Sequence, residues 1–332
     1  MKKEAAKKGA GPSRAPTPLG TLRRPHPNYI YGPVPSRRLG FSLGVDILPF
    51  KTCSMDCVYC QLGAVSKTTV RRKEYVPARE VFAQIKAALS SRRRIDAVTF
   101  SGSGEPCLNS GIGLVIRGLK KITDIPVVVL TNSSCLASER CRRELAEADI
   151  VVPSLDAATA PIFKKINRPH SGLEIGGIID GLARFRREYK GRIWLEIMLV
   201  KGLNDSPAHL KKLKAAVSRI KPDRIQLNTV VRPPAEKSAR PLGRRELEKI
   251  RAFFGPKAEI IADFKTREQK ADSGDIGEAI LATVRRRPVT VRDISLSLGR
   301  SIVEIRKCAD ELVEQGRLKR IIHKKAEYYE HR

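Results

Sequence analysis

The sequence predicts an α/β fold, in which parallel strands form a complete or partial barrel, followed by a smaller winged helix-turn-helix unit. Six strand-like segments alternate with helix-like segments between residues 41 and 230, which is typical of parallel βαβ units. Polar or glycine-containing stretches follow these strands, at the positions where such barrels carry functional groups. Beyond residue 273, three segments with helical periodicity precede a short two-stranded pattern.

Each strand is predicted from a short apolar or alternating run, and each helix from apolar residues that recur every three or four positions. The predicted strands are residues 41–48, 95–101, 126–131, 149–155, 192–200 and 224–230. The predicted helices are residues 77–91, 111–123, 138–147, 173–189 and 207–220.

The chain is predicted to divide into four segments. Residues 1–28 are rich in Lys and Pro and have no apolar period, so we expect a disordered basic tail. The barrel is expected over residues 29–265, and a polar linker over residues 266–273. Residues 274–332 are expected to form the winged-helix-like unit, with the wing at 318–329.

Three cysteines lie in one loop directly after the first predicted strand. Cys53, Cys57 and Cys60 have C-x3-C-x2-C spacing, and no further Cys or His follows within forty residues. A [4Fe–4S] cluster normally takes four cysteine ligands, so a cluster held by these three would keep one iron open. One alternative is a partial zinc site, although structural zinc sites normally have four ligands in paired spacing. The other alternative is a set of buried free cysteines.

The loops after the next three strands carry polar residues that suit a small ligand. Gly102 and Gly104 would let the backbone approach a ligand closely, and Glu105 would accept a hydrogen bond from an ammonium group. Asn132 follows the third strand, and Ser154 and Asp156 end the fourth; the alternative for each is an ordinary turn or cap residue.

The cysteine spacing with Tyr59 before the last cysteine, and the glycine loop one βα unit later, resemble the signature of the radical SAM superfamily. The resemblance covers about residues 30–262. Within the superfamily, these segments resemble an uncharacterised subgroup allied to wyosine-type tRNA synthases and nitrogenase-cofactor proteins: YGPVPSRRLG, SLGVDILPFKTC, GSGEP, SLDAATAPIFKKINRP, EIMLVKGLND and IQLNTVVRPP. Unlike a wyosine synthase, this sequence has no cysteine before Cys53.

This resemblance implies a partial (β/α)6-type radical SAM barrel with two cofactors, a [4Fe–4S] cluster and S-adenosylmethionine (SAM). It implies that the three loop cysteines bind the cluster. It implies a SAM pocket formed by Tyr59, Gly102, Gly104, Glu105, Asn132, Ser154 and Asp156. It also implies a one-electron donor protein that reduces the cluster, so that SAM is cleaved to methionine and a 5′-deoxyadenosyl radical.

Three further residues are candidates for contact with a substrate. Cys107 follows the glycine loop directly, where a thiol would be placed to donate hydrogen to a substrate radical; the alternative is a small buried hydrophobe. Glu196 and Lys201 lie near the end of the fifth strand, where the alternative is a surface salt bridge.

The net charge of +29 predicts a polyanionic partner; the alternative is a charge that reflects a basic proteome or serves solubility. The presumed recognition helix, residues 301–315, is acidic overall, which disfavours reading of DNA in the major groove. The wing is basic through Arg317, Lys319, Arg320, Lys324 and Lys325. We therefore expect RNA or a ribonucleoprotein to bind the basic barrel rim and the wing.

No apolar run is long enough to cross a bilayer, and clustered cysteines suit a reducing compartment, so we expect a cytoplasmic protein with no membrane partner. The main functional hypothesis is a radical SAM enzyme that modifies RNA or a translation component. Two alternatives stay open. One is a small-molecule or cofactor-maturing enzyme whose winged unit binds a protein partner, and the other is a redox-sensing regulator that uses the cluster as a switch.

Overall fold

The structure, a computed structural model, describes residues 28–65, 67–91, 93–261, 276–323 and 326–332. The predicted basic tail, apart from its last residue, and the predicted linker at 266–273 lie outside the described residues.

The main sheet has eight strands that follow one another in chain order. The strands are β1 Ile30–Ser36, β2 Gly40–Val45, β3 Ala97–Phe100, β4 Val127–Thr131, β5 Ile150–Pro153, β6 Arg192–Leu199, β7 Arg224–Thr229 and β8 Ala258–Ile260. Strands β1 and β2 are antiparallel, and every later neighbouring pair is parallel. The six predicted strands correspond to β2 through β7.

Seven α-helices connect or follow these strands. They are α1 Ala78–Leu89, α2 Ile112–Lys120, α3 Glu139–Leu145, α4 Ala160–Ile166, α5 Ile175–Glu188, α6 Pro207–Ile220 and α7 Arg244–Phe254. Strands β3 and β5 are buried along their whole length, because helices cover one face of each strand and the other face points into the interior of the barrel.

Four elements were not predicted, each for a physical reason. Strand β1 contains Pro33 and Pro35, which argue against a central strand but are tolerated at the edge of a sheet. Strand β8 has only three residues, α4 is a seven-residue helix with a proline in its first turn, and charged residues outnumber apolar ones in α7.

The sheet curves until its two edges meet across a seam. Arg37, in the turn after β1, donates to the Asn228 side chain in β7 at 2.9 Å and to the Ile261 carbonyl after β8 at 3.1 Å. Arg38 donates to Gln226 in β7 at 2.6 Å and pairs with Glu196 in β6 at 2.7 Å. The sheet is therefore an open barrel whose seam is bridged by arginine side chains.

The C-terminal unit has its own apolar core and the predicted order of elements. It contains α8 Ile276–Val284, α9 Val291–Leu298, α10 Ile302–Glu314 and an antiparallel pair, β9 Leu318–His323 and β10 Ala326–His331. Lys324 and Lys325 of the predicted wing lie outside the described residues. In the described part of the chain, no helix is long and apolar enough to cross a membrane.

This C-terminal unit packs against strand β1 and against the carboxyl-end face of the barrel, where it contacts the segments after β2 and β7. Ser297 donates to the Pro33 carbonyl at 2.8 Å, and Tyr328 donates to the Val231 carbonyl at 3.2 Å. Asp46, which directly follows β2, pairs with Arg286 at 3.0 Å. Because this face carries the loops after the parallel strands, the C-terminal unit covers the expected location of a functional site.

Candidate active site

A cavity of about 370 Å³ opens at the carboxyl ends of the strands. It brings together most of the residues predicted for the cluster and the SAM pocket: Cys53, Tyr59, Cys60, Gly102, Gly104, Glu105, Asn132 and Ser154 line it. Glu196 lines it as well, whereas Cys57, Asp156, Cys107 and Lys201 do not.

The cysteine loop is held by the chain segment that follows α4. The Asp56 amide donates to the Asn167 carbonyl at 3.0 Å, and the Val58 amide donates to the Ile166 carbonyl at 3.0 Å. His170 donates its amide to the Ser54 carbonyl at 2.9 Å. This segment fixes the backbone between the three thiols, although the sequence analysis assigned it no role.

Two asparagine amides point at sulfur atoms of the loop. Nδ2 of Asn132 lies 3.5 Å from Sγ of Cys53, and Nδ2 of Asn167 lies 3.4 Å from Sγ of Cys57. Such N–H donors stabilise a thiolate and tune a bound cluster. Among the described residues, no group of His, Cys, Asp or Glu side chains is arranged to hold a single metal ion. A cubane cluster differs from such an ion because each cysteine binds its own iron.

The thiols need a positive centre to ionise. Burial and the carboxylate of Glu105 raise the pKa of Cys53 to about 12. Burial and Asp156 also raise the pKa of Cys57. Metal ligation deprotonates such thiols, because the ion supplies the opposite charge. Three thiols with amide donors at two of them therefore fit an iron–sulfur cluster.

The glycine loop packs directly against the cysteine loop. Glu105 donates its amide to the Thr52 carbonyl at 3.1 Å, and a Cβ atom placed on Gly104 would lie 1.8 Å from that same oxygen. Gly102 has a φ of +143°, and a Cβ there would lie 2.5 Å from the carboxyl carbon of Asp46. Both positions therefore require glycine.

Glu105 is a buried carboxylate at the edge of the cavity, only 2% exposed. It accepts from the Cys107 amide at 3.1 Å, the Thr131 hydroxyl at 2.7 Å and the Asn132 amide at 2.5 Å. Burial raises its pKa, and these hydrogen bonds act against that shift. A fixed, buried carboxylate is a suitable partner for an ammonium group.

Asp156 lies behind the cavity wall. It accepts from Nδ2 of Asn167 at 2.8 Å, from the Met198 amide at 2.9 Å and from the Tyr59 hydroxyl. Burial raises its pKa to about 6. The structure therefore places Asp156 as the residue that positions Tyr59 and Asn167, while Ser154 itself lines the cavity.

The three candidate substrate contacts separate in the structure. Glu196 lines the cavity, where burial would raise its pKa, but Arg38 and Asn228 lower it on balance. Cys107 is fully buried beneath the glycine loop. Lys201 pairs with Glu246 at 2.9 Å, and both side chains are nearly half exposed.

The sequence allows Arg37 and Arg38 to face a phosphate or a carboxylate, with a solvated pair as the alternative, and both line the cavity. Three other arginines of the cavity wall were not predicted as site residues. Arg232, in the loop after β7, donates to Gln61 at 3.2 Å, and both residues line the cavity. Arg286 and Arg287, between α8 and α9, line it as well. The sequence signal for Arg286 and Arg287 is the Arg-Arg-Arg-Pro run that starts at residue 285.

Comparison with known proteins identifies the same region. The family model described as Radical SAM superfamily matches residues 47–213, about half of the chain. This match begins at the end of β2 and includes the cysteine loop and the glycine loop.

Two curated relatives match most of the chain. The UPF0026 protein MJ1312 of Methanocaldococcus jannaschii is 32% identical over 295 residues, which cover 87% of this chain and 91% of the relative. A protein of Brachyspira hyodysenteriae named GTPase Obg is 38% identical over 293 residues, which cover 87% of this chain but only 43% of that relative. This chain therefore spans less than half of the second protein.

A more distant relative and a solved structure share the barrel region. The dual-specificity RNA methyltransferase RlmN of Oleidesulfovibrio alaskensis is 27% identical over 60% of this chain and 57% of its own length. The crystal structure of a radical SAM methyltransferase from Sphaerobacter thermophilus matches with a TM-score of 0.51 and 20% identity, covering 66% of each chain. The structural match shows a shared fold.

Proposed function

The chain belongs to the radical SAM superfamily and to its UPF0026 proteins, and we propose that it is an enzyme that modifies RNA. As a radical SAM enzyme it uses a [4Fe–4S] cluster and SAM. When bound, these cofactors supply a 5′-deoxyadenosyl radical at the cavity. The protein's own task is to hold SAM and substrate in line and to exclude water.

The residues divide this task between two neighbouring loops. Cys53, Cys57 and Cys60 would hold the cluster, with Asn132 and Asn167 donating to two of the sulfurs. Glu105 would accept from the methionyl amine of SAM, since its carboxylate is buried at the cavity edge. The close contact between Gly104 and Thr52 keeps these two binding elements in register.

The RNA assignment is supported by charge and by one relative. The chain has a net charge of +29, and five arginines line its cavity in the described part of the chain. A relative with 27% identity is named an RNA methyltransferase. RNA substrates present phosphates that such a surface attracts.

We propose that the C-terminal unit is a winged helix-turn-helix, because it has three helices followed by a hairpin. Three basic residues near its wing are in ion pairs: Arg320 with Asp310 at 2.7 Å, Lys319 with Glu330 at 3.5 Å and Arg317 with Glu278 at 2.9 Å. Ion pairing reduces the net field of this surface. In the proposed complex the barrel rim therefore makes the main RNA contacts, and the wing makes fewer.

A second candidate is an enzyme that acts on a small molecule. It is favoured by one observation, namely that the C-terminal unit covers the face of the barrel on which the cavity opens. Family membership favours either enzyme over a redox-sensing regulator.

One experiment tests the enzyme and its substrate class. The anaerobically reconstituted protein is supplied with SAM, a chemical reductant and a one-electron donor protein, together with either cellular RNA or an RNA-free metabolite fraction. We expect release of 5′-deoxyadenosine that rises with RNA, and a new mass in digested RNA. Stimulation only by the metabolite fraction would select the second candidate, and no 5′-deoxyadenosine under any condition would refute the enzymatic proposal.

A further inference from the structure

One side of the cavity is built from arginines, which we call the arginine wall: Arg37, Arg38, Arg232, Arg286 and Arg287. They come from three separate places in the chain, namely the turn after β1, the loop after β7 and the turn between α8 and α9. The cysteine and glycine loops come from β2 and β3, so cofactor-binding groups and the arginine wall are supplied by different elements.

Two members of the wall form buried ion pairs. Arg38 pairs with Glu196 at 2.7 Å, and Arg286 pairs with Asp46 at 3.0 Å. Both pairs are largely buried, so they fix the backbone from which the neighbouring arginines extend. Asp46 also accepts from Ser103 of the glycine loop, which ties the C-terminal turn to the cofactor-binding side.

Arg37, Arg232 and Arg287 place positive charges close together. Burial and the neighbouring Arg38 lower the pKa of Arg37 to about 10. Burial also lowers the pKa of Arg232, and repulsion from Arg287 and Arg37 lowers it further by a smaller amount. The carboxylate of Asp293 raises the pKa of both Arg37 and Arg232 and so acts against these shifts. Guanidinium groups stay charged at neutral pH, so this region attracts an anion.

The donor chemistry favours phosphate over carboxylate. A guanidinium group presents a planar set of N–H donors that matches phosphate oxygens, and a phosphate has enough oxygens and charge for several arginines at once. Within the described residues, Nε of Arg287 has no hydrogen-bond partner and is buried. Arg287 therefore retains a donor for a ligand at the cavity wall.

We infer that Arg37, Arg232 and Arg287 bind a phosphate group of the substrate, so that the C-terminal unit completes the substrate site. This inference rests on the proposed function, because the same cavity takes SAM and the substrate. The phosphate has two sources, a phosphate of RNA or that of a free phosphorylated small molecule, and binding measurements separate them.

The test compares Arg287→Gln with Arg285→Gln in the full chain. Arg285 lies two positions away and has the same charge, but it is exposed and does not line the cavity. Anaerobic calorimetry at fixed ionic strength measures binding of inorganic phosphate, a nucleoside 5′-monophosphate, a 5′-phosphorylated oligoribonucleotide and SAM. We expect Arg287→Gln to weaken phosphate binding about tenfold and Arg285→Gln to leave it unchanged. Arg287→Lys, which retains the charge without the planar donors, should lie between them.

Preferential binding of the oligoribonucleotide identifies RNA as the source, and preferential binding of the mononucleotide identifies a small molecule; both support the inference. Equal phosphate affinity in the Arg287 and Arg285 variants would overturn it. So would a loss of SAM affinity in Arg287→Gln with phosphate binding intact, because the wall would then serve the SAM carboxylate. These measurements use no reductant, so a failure to cleave SAM leaves their outcome unchanged.

Discussion

The buried pair between Asp46 and Arg286 joins the C-terminal unit to the barrel, and Asp46→Asn tests how strongly. The side chain of Asp46 is 6% exposed and that of Arg286 is 9% exposed. Asp46 also accepts from the Ser103 amide at 3.1 Å and from its hydroxyl at 2.5 Å. The substitution retains the volume at residue 46 but leaves a buried guanidinium without its counter-charge.

The expected cost follows from this geometry. Removing one partner of a buried ion pair costs about 3–5 kcal/mol, because the remaining charge stays desolvated. The new amide retains one acceptor oxygen, and Arg286 also lies over the Tyr31 ring at 4.9 Å, so we expect the lower end, about 3 kcal/mol. Since the C-terminal unit has its own core, the loss should appear at the contact between the unit and the barrel.

A double-mutant cycle with Arg286→Met measures the pair. Urea denaturation gives the free energy of unfolding for each variant, and hydrogen exchange reports opening of α8 and α9. We expect Asp46→Asn to speed exchange in these helices, and the double variant to recover about 1–3 kcal/mol relative to additive losses. Strict additivity, or exchange unchanged in α8 and α9, would refute the view that this pair holds the unit on the barrel.

Three further predictions test the site. Gly104→Ala should abolish cluster incorporation, measured as iron content and visible absorption, because its Cβ would collide with the Thr52 carbonyl. Gly176→Ala, whose Cβ would meet no atom within 4 Å, should incorporate a normal cluster. Glu196→Gln should lower the free energy of unfolding at neutral pH, and this loss should fade as pH falls below the ordinary value of 4.5, because the lowered pKa of Glu196 stabilises the fold only while the group is ionised. Cys107→Ala should leave SAM cleavage unchanged and cost about 1 kcal/mol of stability, since the thiol is fully buried.

Other results would contradict these expectations. A normal iron content in Gly104→Ala would show that the two loops can separate. A loss for Glu196→Gln that stays constant in acid would assign it to packing instead of charge. Loss of SAM cleavage or of substrate turnover in a folded Cys107→Ala protein would return that thiol to the list of reacting groups.

The sequence predicted the strands that position the site because their signals are local. Each of β2 through β7 is a short apolar or alternating run, and the carboxyl ends of parallel strands meet at one face. Cys53, Glu105 and Ser154 were therefore expected near one another, although they are far apart in sequence, and all three line the cavity.

Contacts made through side chains across the fold could not be predicted in the same way. The segment that ends at Asn167 was predicted only as part of a stretch that resembles the family, and its residue types do not indicate that it holds the cysteine loop and donates to Cys57. Asp156 carries the right functional group at the right strand end, but its rotamer turns it behind the wall toward Tyr59. A pattern of residue types specifies the strand end and leaves the direction of the side chain open.

The positions of the charged side chains could not be predicted from the sequence either. Their observed positions change the interpretation of the C-terminal unit. The sum of charges pointed to the wing as the basic surface, but Lys319 and Arg320 are paired with acidic side chains. Arg286 and Arg287 lie in a turn outside the predicted wing, and they line the cavity. Packing determines which positively charged side chains line the cavity. Here the contact of Asp46 with Arg286 places the turn between α8 and α9 at the cavity wall. In the proposed substrate site the C-terminal unit would contact the substrate at the cavity itself, and this role would not require a nucleic-acid-binding wing.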